Sequence, residues 1–328
     1  MRQEDTDMKN LYWSHIKMMR ECPQKFLWHK GHPNHDLGAG VGNPKPLPPE
    51  EERGSEHHLL MGSVLSKVVE DFYNHELWRD PKNLPQKVEE IARKEFVFEE
   101  QRRYCLWTYM TRDDCIEICV KGALNFLKIM KENRLLGVWN KSELKMTPSV
   151  NKYFNASGIA DLVYRDKEDR IHILDGKNAS TPGKYEDEDQ LRWYALCFRL
   201  QYGTMPHRLG FFYFRFPSDC PPENLSHVEE KYRDAWTGFC EVSLDVSDIK
   251  RLAREAVETS KAIHRGVFEA NPQPKHCGMC AYEPICEERQ AQKKRNAAKR
   301  GLGQTKTPDP LKDSDQSGFA DLSFGAKK

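Results

Sequence analysis

Near residue 140 the apolar pattern of this chain changes period, and that change limits the fold more than any other feature. Upstream, "HHLLMGSVLSKVVEDFYNHELW" places Leu60, Val64, Leu65, Val68 and Phe72 at helical spacing. "RDDCIEICVKGALNFLKIMKENRL" does the same with Ile116, Val120, Leu124, Leu127 and Met130, and another helical stretch covers residues 84–104. Downstream, "SELKMTPSV", "NASGIADLVYRD" and "RIHILDGKN" are short, β-rich and separated by turn chemistry such as "RDKEDR". A helix follows in "YEDEDQLRWYALCFRLQYG", closing on a glycine. A strand, "HRLGFFYFRFP", and an amphipathic helix, "SDIKRLAREAVETSKAIHRG", complete the order. This order predicts a helical front, a sheet with a crossover helix and a helical close within one α/β domain.

Composition sets the outer bounds. A chain of 328 residues can bury a substantial core. No apolar run approaches the roughly 20 residues that cross a bilayer, so no membrane partner is expected. The start, "MRQEDTDMKNLYW", has no basic-then-apolar export pattern, which predicts a cytoplasmic protein, or host-cell cytoplasm if the chain is phage-encoded. With 51 basic and 50 acidic residues, bulk charge neither favours nor excludes nucleic acid; a local basic groove is required. Ten cysteines without an export signal point to metal or redox use. Residues 31–56, rich in Gly, Pro and charge, read as a loop, and residues 291–328 read as a disordered tail after a domain spanning 1–290.

Asp175 and Lys177 stand two apart at the end of an apolar strand and therefore share a face. Asp161 lies on the preceding strand, where pairing can bring it beside Asp175. Two carboxylates form a hard oxygen set suited to Mg²⁺ or Mn²⁺. A cation there orients a phosphate and acidifies a water, while a neighbouring lysine positions or deprotonates that water. A solvated strand end is the competing reading of an isolated D-x-K.

"GIAD", a turn and "ILDGK" together resemble the PD-(D/E)XK nuclease pattern, with Asp161 at the first acidic position and Asp175-x-Lys177 at the second. Gln190 and Tyr194, in "QLRWY", resemble the Q-x-x-x-Y motif of the RecB-like branch, whose side chains help to hold DNA and the active-site strand. The resemblance implies a restriction-endonuclease-like core, a mixed sheet flanked by helices. It implies a helical portion at about 57–135, a catalytic sheet at about 140–216, and a closing helix with a cysteine cluster at about 247–288. It also implies a metal-dependent deoxyribonuclease, an exonuclease, acting in recombination, end processing or replication of phage or mobile DNA. Metal would be held by Asp161, Asp175 and a backbone carbonyl in the Leu174 to Asn178 region. Gly176 admits either a close phosphate approach or a bulge.

Cys277-x2-Cys280-x5-Cys286 leaves a tetrahedral site one ligand short, and Cys22 is the candidate fourth. This spacing resembles that of the iron–sulfur RecB-like nucleases, AddB-type subunits and CRISPR-associated exonucleases among them. The resemblance implies a [4Fe–4S] cluster that staples the two ends of the chain. Zinc with the same ligands, with His276 as a substitute, is the alternative. Cys105, Cys115 and Cys119 are either a second metal site or core packing.

One position breaks the pattern. Where the RecB-like branch carries an early-helix histidine, this chain has Ser66, four residues after Gly62. His57, His58, Glu70 and Glu143 are candidate replacements, and a catalytically weak DNA-binding or scaffold subunit is the rival function. Tyr104, Trp107 and Tyr109, flanked by Arg102, Arg103 and Arg112, either stack bases or pack helices. "KKRNAAKR" at 293–300 reads as a phosphate-binding arm or a solvated helix end, and "SGFADLSF" near the C-terminus reads as a docking segment for a protein partner.

Overall fold

The computed structural model describes residues 10–30, 56–107, 110–151, 154–179, 181–182, 187–228, 230–233, 236–278 and 280–302. The chain divides into two compact units, Met1–Tyr282 and Glu283–Lys328. The first begins with β1 (Asn10–Tyr12), α1 (Trp13–Glu21) and α2 (Pro23–Lys30). Three longer helices follow: α3 (His57–Asn74), α4 (Leu84–Glu100) and α5 (Arg112–Glu132). Then come β2 (Trp139–Met146), β3 (Asn155–Arg165), β4 (Ile171–Lys177), α6 (Glu188–Tyr202), β5 (Arg208–Tyr213), β6 (Phe239–Val242) and α7 (Val246–His264).

The sheet is mixed. Its order is β1-β3-β4-β5-β6, with β2 also paired to β3. β2–β3, β3–β4 and β5–β6 are antiparallel, whereas β1–β3 and β4–β5 are parallel. α6 is the crossover between the parallel strands β4 and β5, as the sequence order predicts. Alternation along the strands feeds two apolar clusters. Ile173, Phe211 and Tyr213 join α1, α2, α6 and α7, while Leu174, Phe212 and Phe214 join α3, α4 and α5. The result is the expected α/β core, a mixed sheet with helices against both faces.

Local chemistry explains the element ends. Thr111 caps α5 with a reciprocal box to Asp114, and Gly203 (φ 79°) closes α6 in the left-handed region that glycine tolerates. The buried stripe of α5 differs from the expected one. Cys115, Cys119, Gly122, Phe126 and Ile129 face inward, and Ile116, Leu124, Leu127 and Met130 are only partly buried. Small residues let the helices approach closely, and a Cβ on Gly122 would stand 2.9 Å from Leu65 Cδ2.

In the second unit, α8 (Glu287–Leu302) runs through residues that composition assigns to the tail. Its Glu, Gln, Ala, Lys and Arg content is polar yet strongly helix-forming, which the composition argument overlooks. Arg289 and Lys293 pair with Glu283 at 3.1 and 2.9 Å at its start. The "SGFADLSF" segment lies outside the described residues. No helix among the described residues is long and apolar enough to cross a membrane.

Candidate active site

The site is built on strand register. Leu162 pairs with Leu174, so one step further along the same ladder Asp161 stands opposite Asp175. On the other edge of β3, Ser142 pairs with Leu162 and Leu144 with Ala160, which sets Glu143 opposite Asp161. Three carboxylates thus occupy one row across β2, β3 and β4. Glu143 holds a left-handed backbone (φ 50°) in mid-strand, a strained conformation for a residue with a side chain.

Asp175 is buried, 3% exposed, and its Oδ2 lies 2.6 Å from Lys177 Nζ. Asp161 Oδ2 accepts a hydrogen bond from the Gly176 backbone N–H at 2.9 Å. The sequence gives no hint of that bond. Gly176 pairs regularly with Phe212, so it forms no bulge, and a Cβ there would meet Phe212 Cζ at 2.8 Å and Phe214 Cε2 at 2.9 Å, so two buried rings occupy the space.

α6 delivers the two remaining groups. Gln190 Nε2 donates to Tyr194 Oη at 2.8 Å and to Asp175 Oδ1 at 3.3 Å, while Gln190 Oε1 accepts from Lys177 Nζ at 3.4 Å. One amide therefore links all three partners. The start of α6 is held by Arg251 to Asp189 at 2.6 Å, and by Trp13 Nε1 donating to Asp187 Oδ2 at 2.9 Å. Tyr194 lies against Gly158, where a Cβ would come 2.8 Å from its ring. With Trp13 and Lys17, Gln190 and Tyr194 border a groove of about 360 Å³.

The electrostatics follow from crowding. Burial, followed by the Asp175 charge, pushes the Asp161 carboxyl well above the ordinary carboxylate range. Burial also raises Asp175, with Lys177 opposing it. Glu143 is raised by desolvation and by Glu70 and Asp175, so Glu70 of α3 also bears on the cluster. Ser142 Oγ reaches Asn74 Oδ1 at 3.2 Å, tying β2 to the same helix.

Ser66, Glu70, His57 and His58 all line a larger cleft of about 1070 Å³, together with Asn178 and Arg215. Among the described residues, no three His, Cys, Asp or Glu side chains are gathered tightly enough to enclose a metal ion. The Asp161–Asp175 pair still fits Mg²⁺ or Mn²⁺, which take one or two protein carboxylates and keep waters and substrate oxygens for the rest. A buried carboxylate and a half-buried one that repel each other, with the one lysine paired to Asp175, make a donor set short of positive charge.

The cysteines separate into two groups. Cys115 and Cys119 are fully buried, and burial pushes their thiols up to about 11 and about 12. Both pack on the inward face of α5 as small hydrophobes. Cys22, Cys277 and Cys280 belong to the first unit, but among the described residues they are not gathered into a metal-holding group. Burial raises the Cys280 thiol, and the charges of Cys22 and Cys277 add to that rise. Cys22 Sγ also accepts from the Asn271 N–H at 3.5 Å. Cys286 belongs to the second unit.

The aromatic–arginine stretch packs helices. Trp107 lies 6.4 Å from Phe96, Arg112 binds Glu100 at 2.7 Å, and Arg103 binds Glu99 at 3.2 Å. Tyr109 lies outside the described residues.

A mixed α/β sheet with two aspartates and a lysine converging at one strand end is the architecture of a nuclease core. The family model for the PD-(D/E)XK nuclease superfamily matches residues 13–287, and the chain belongs to that superfamily. No curated protein matches it. The solved structure titled "Crystal structure of SSO0001" is similar over 72% of this chain and 98% of its own, at 12% identity and a TM-score of 0.32, too loose a likeness to argue from.

Proposed function

We propose that the protein is a Mg²⁺- or Mn²⁺-dependent deoxyribonuclease of the RecB-like iron–sulfur branch, working as an exonuclease on DNA ends. Recombination, end processing and replication of phage or mobile DNA are the processes it suits. The observation that carries the reading is the joint placement of Asp161, Asp175 and Lys177, with Gln190 bridging the last two.

Asp161 and Asp175 would hold the cation, which would supply charge for the phosphate and acidify a water. The chain's own groups do the rest. Asp175 and Gln190 confine the Lys177 ammonium, which holds the attacking water by hydrogen bonding and offsets charge gathering on the phosphate. Gln190 and Tyr194 fix the active-site strand from α6 and face the smaller groove, where they orient the DNA strand. A [4Fe–4S] staple on Cys22, Cys277, Cys280 and Cys286 is proposed from the cysteine spacing of the sequence, with zinc on the same ligands as its alternative, and no catalytic step needs it.

Ser66 favours a second reading, a weakly active DNA-binding or scaffold subunit. An assay of purified protein on end-labelled single- and double-stranded DNA with Mn²⁺ separates the two. Cleavage that disappears in Asp175→Ala is expected; absence of cleavage, or cleavage unchanged in that variant, leaves the scaffold reading standing.

A further inference from the structure

We propose that Arg215 and Asn178 form a phosphate-binding subsite at the mouth of the active site, and that the larger cleft takes a single strand of DNA. The inference rests on the nuclease reading above and names the form of DNA that the site accepts.

Three observations carry it. The first is an unneutralised cation. Of the cleft's Lys and Arg residues, Lys67 is paired with Glu70 at 3.0 Å and Arg102 with Glu99 at 3.4 Å. Arg215, half-buried, has no carboxylate or hydrogen-bond partner among the described residues. Its charge bears on Cys115 and Cys119, so it stands against the apolar floor of α5. A half-buried guanidinium without an anion is costly, and its planar fork matches a phosphate.

The second is a neighbouring amide. Asn178 lines the same cleft, and its Nδ2 is the donor it can offer a phosphate, since its Oδ1 is a buried acceptor. The Phe214 N–H donates to the Lys177 carbonyl at 3.1 Å. Asn178 and Arg215 each follow that bond by one residue, so they leave the sheet side by side next to the lysine. A nucleotide held there has its neighbouring phosphodiester beside Lys177.

The third is an exposed ring. Phe98 of α4 lines the cleft, is 52% exposed, and carries the Arg102 guanidinium 5.1 Å from its centroid. An exposed aromatic face among cations suits bases that are free to stack, which a duplex keeps hidden.

Fluorescence anisotropy of a short labelled oligothymidylate and of a blunt hairpin duplex, with Ca²⁺ replacing Mg²⁺, measures binding without cleavage. Tighter binding of the single strand by the wild type is expected. Arg215→Gln should weaken it about tenfold and lower the slope of log K against log salt by about one. Arg215→Lys should retain part of the affinity, and Asn178→Asp should lose it by repulsion. Phe98→Ala should weaken the single strand and leave the duplex unchanged. A folded Arg215→Gln protein with wild-type affinity and slope overturns the subsite, as does wild-type affinity in Asn178→Asp; preference for the duplex overturns the single-strand assignment. DNA bound as described but never cleaved removes the nuclease reading alone. Cleavage with binding indifferent to Arg215 removes the subsite alone.

Discussion

Gly176 donates its backbone N–H to Asp161 Oδ2 at 2.9 Å, so the residue between Asp175 and Lys177 anchors the carboxylate of the neighbouring strand. The same residue has no room for a side chain against Phe212 and Phe214. Gly176→Ala is expected to cost about 1–3 kcal/mol through overpacking, and nuclease activity should fall because the amide shifts off Asp161. Urea unfolding and a cleavage assay check this; an unchanged midpoint would mean that the rings yield freely.

Asp161→Asn should stabilise the chain while silencing it. Burial and the Asp175 charge raise the Asp161 carboxyl, so between its unfolded and folded pKa values the folded chain binds more protons. Stability therefore declines as pH rises through that window, and asparagine removes the decline. Thermal melts near about pH 8 should place the variant above the wild type, with the gap narrowing on acidification. Cleavage should drop by roughly 10²-fold or more. Melting curves with the same pH slope for both proteins would contradict the argument.

Tyr194→Phe removes the oxygen that accepts from Gln190 at 2.8 Å, leaving the amide only its longer contacts to Asp175 and Lys177. A loss of about 1 kcal/mol in stability is expected. Turnover should fall more than affinity for DNA does, because the lysine loses the tether of its partner. Steady-state kinetics with an end-labelled substrate measure the split; a change confined to KM would argue against it.

His15 gives an acid sensitivity remote from the active site. Burial first, then the Lys30 and His29 charges, lowers it from 6.5 to about 4. The unfolded chain takes up the proton first, so stability is lost as pH falls through that window, by up to about 3 kcal/mol. His15→Phe, which keeps the edge contacts to Tyr12 and Phe26, should flatten the loss. Denaturant midpoints at two pH values decide.

Cys280→Ser should abolish the brown colour and thiolate-to-iron absorption expected of protein purified without oxygen. A colourless wild type that holds zinc instead would remove the iron–sulfur assignment. DNA cleavage per folded molecule should persist in the variant, because the cysteines lie apart from the Asp175–Lys177 pair in the proposed chemistry.

Much of the sheet was legible because its signals are local. "GIAD", "ILDGK" and "QLRWY" each announce their element by period and by residue type, and the β3–β4 register puts Asp161 opposite Asp175 as pairing allows. The row extended to Glu143 was harder to see, since it depends on the register of β2, to which no turn motif in the sequence points. β1 is three residues long and carries no period to detect. Arg215 was hidden in "FFYFRF", where the apolar run draws attention to burial and away from the one charge it brings to the cleft. The inward face of α5 was misread because cysteine, glycine and alanine count little on an apolar scale and much in close packing.

Early and late segments of the first unit meet. Tyr282 Oη donates to the Trp28 carbonyl at 3.2 Å across 254 residues, and Arg20 grips Glu255 across 235. The catalytic contacts, by contrast, join residues 13 to 15 apart. Short-range contacts form early and cheaply, whereas closing a loop of that length is slow. The catalytic strands and their helix can thus assemble before the ends are fastened. These long-range contacts then govern how slowly the folded chain comes apart, since they close last and must open before the unit can.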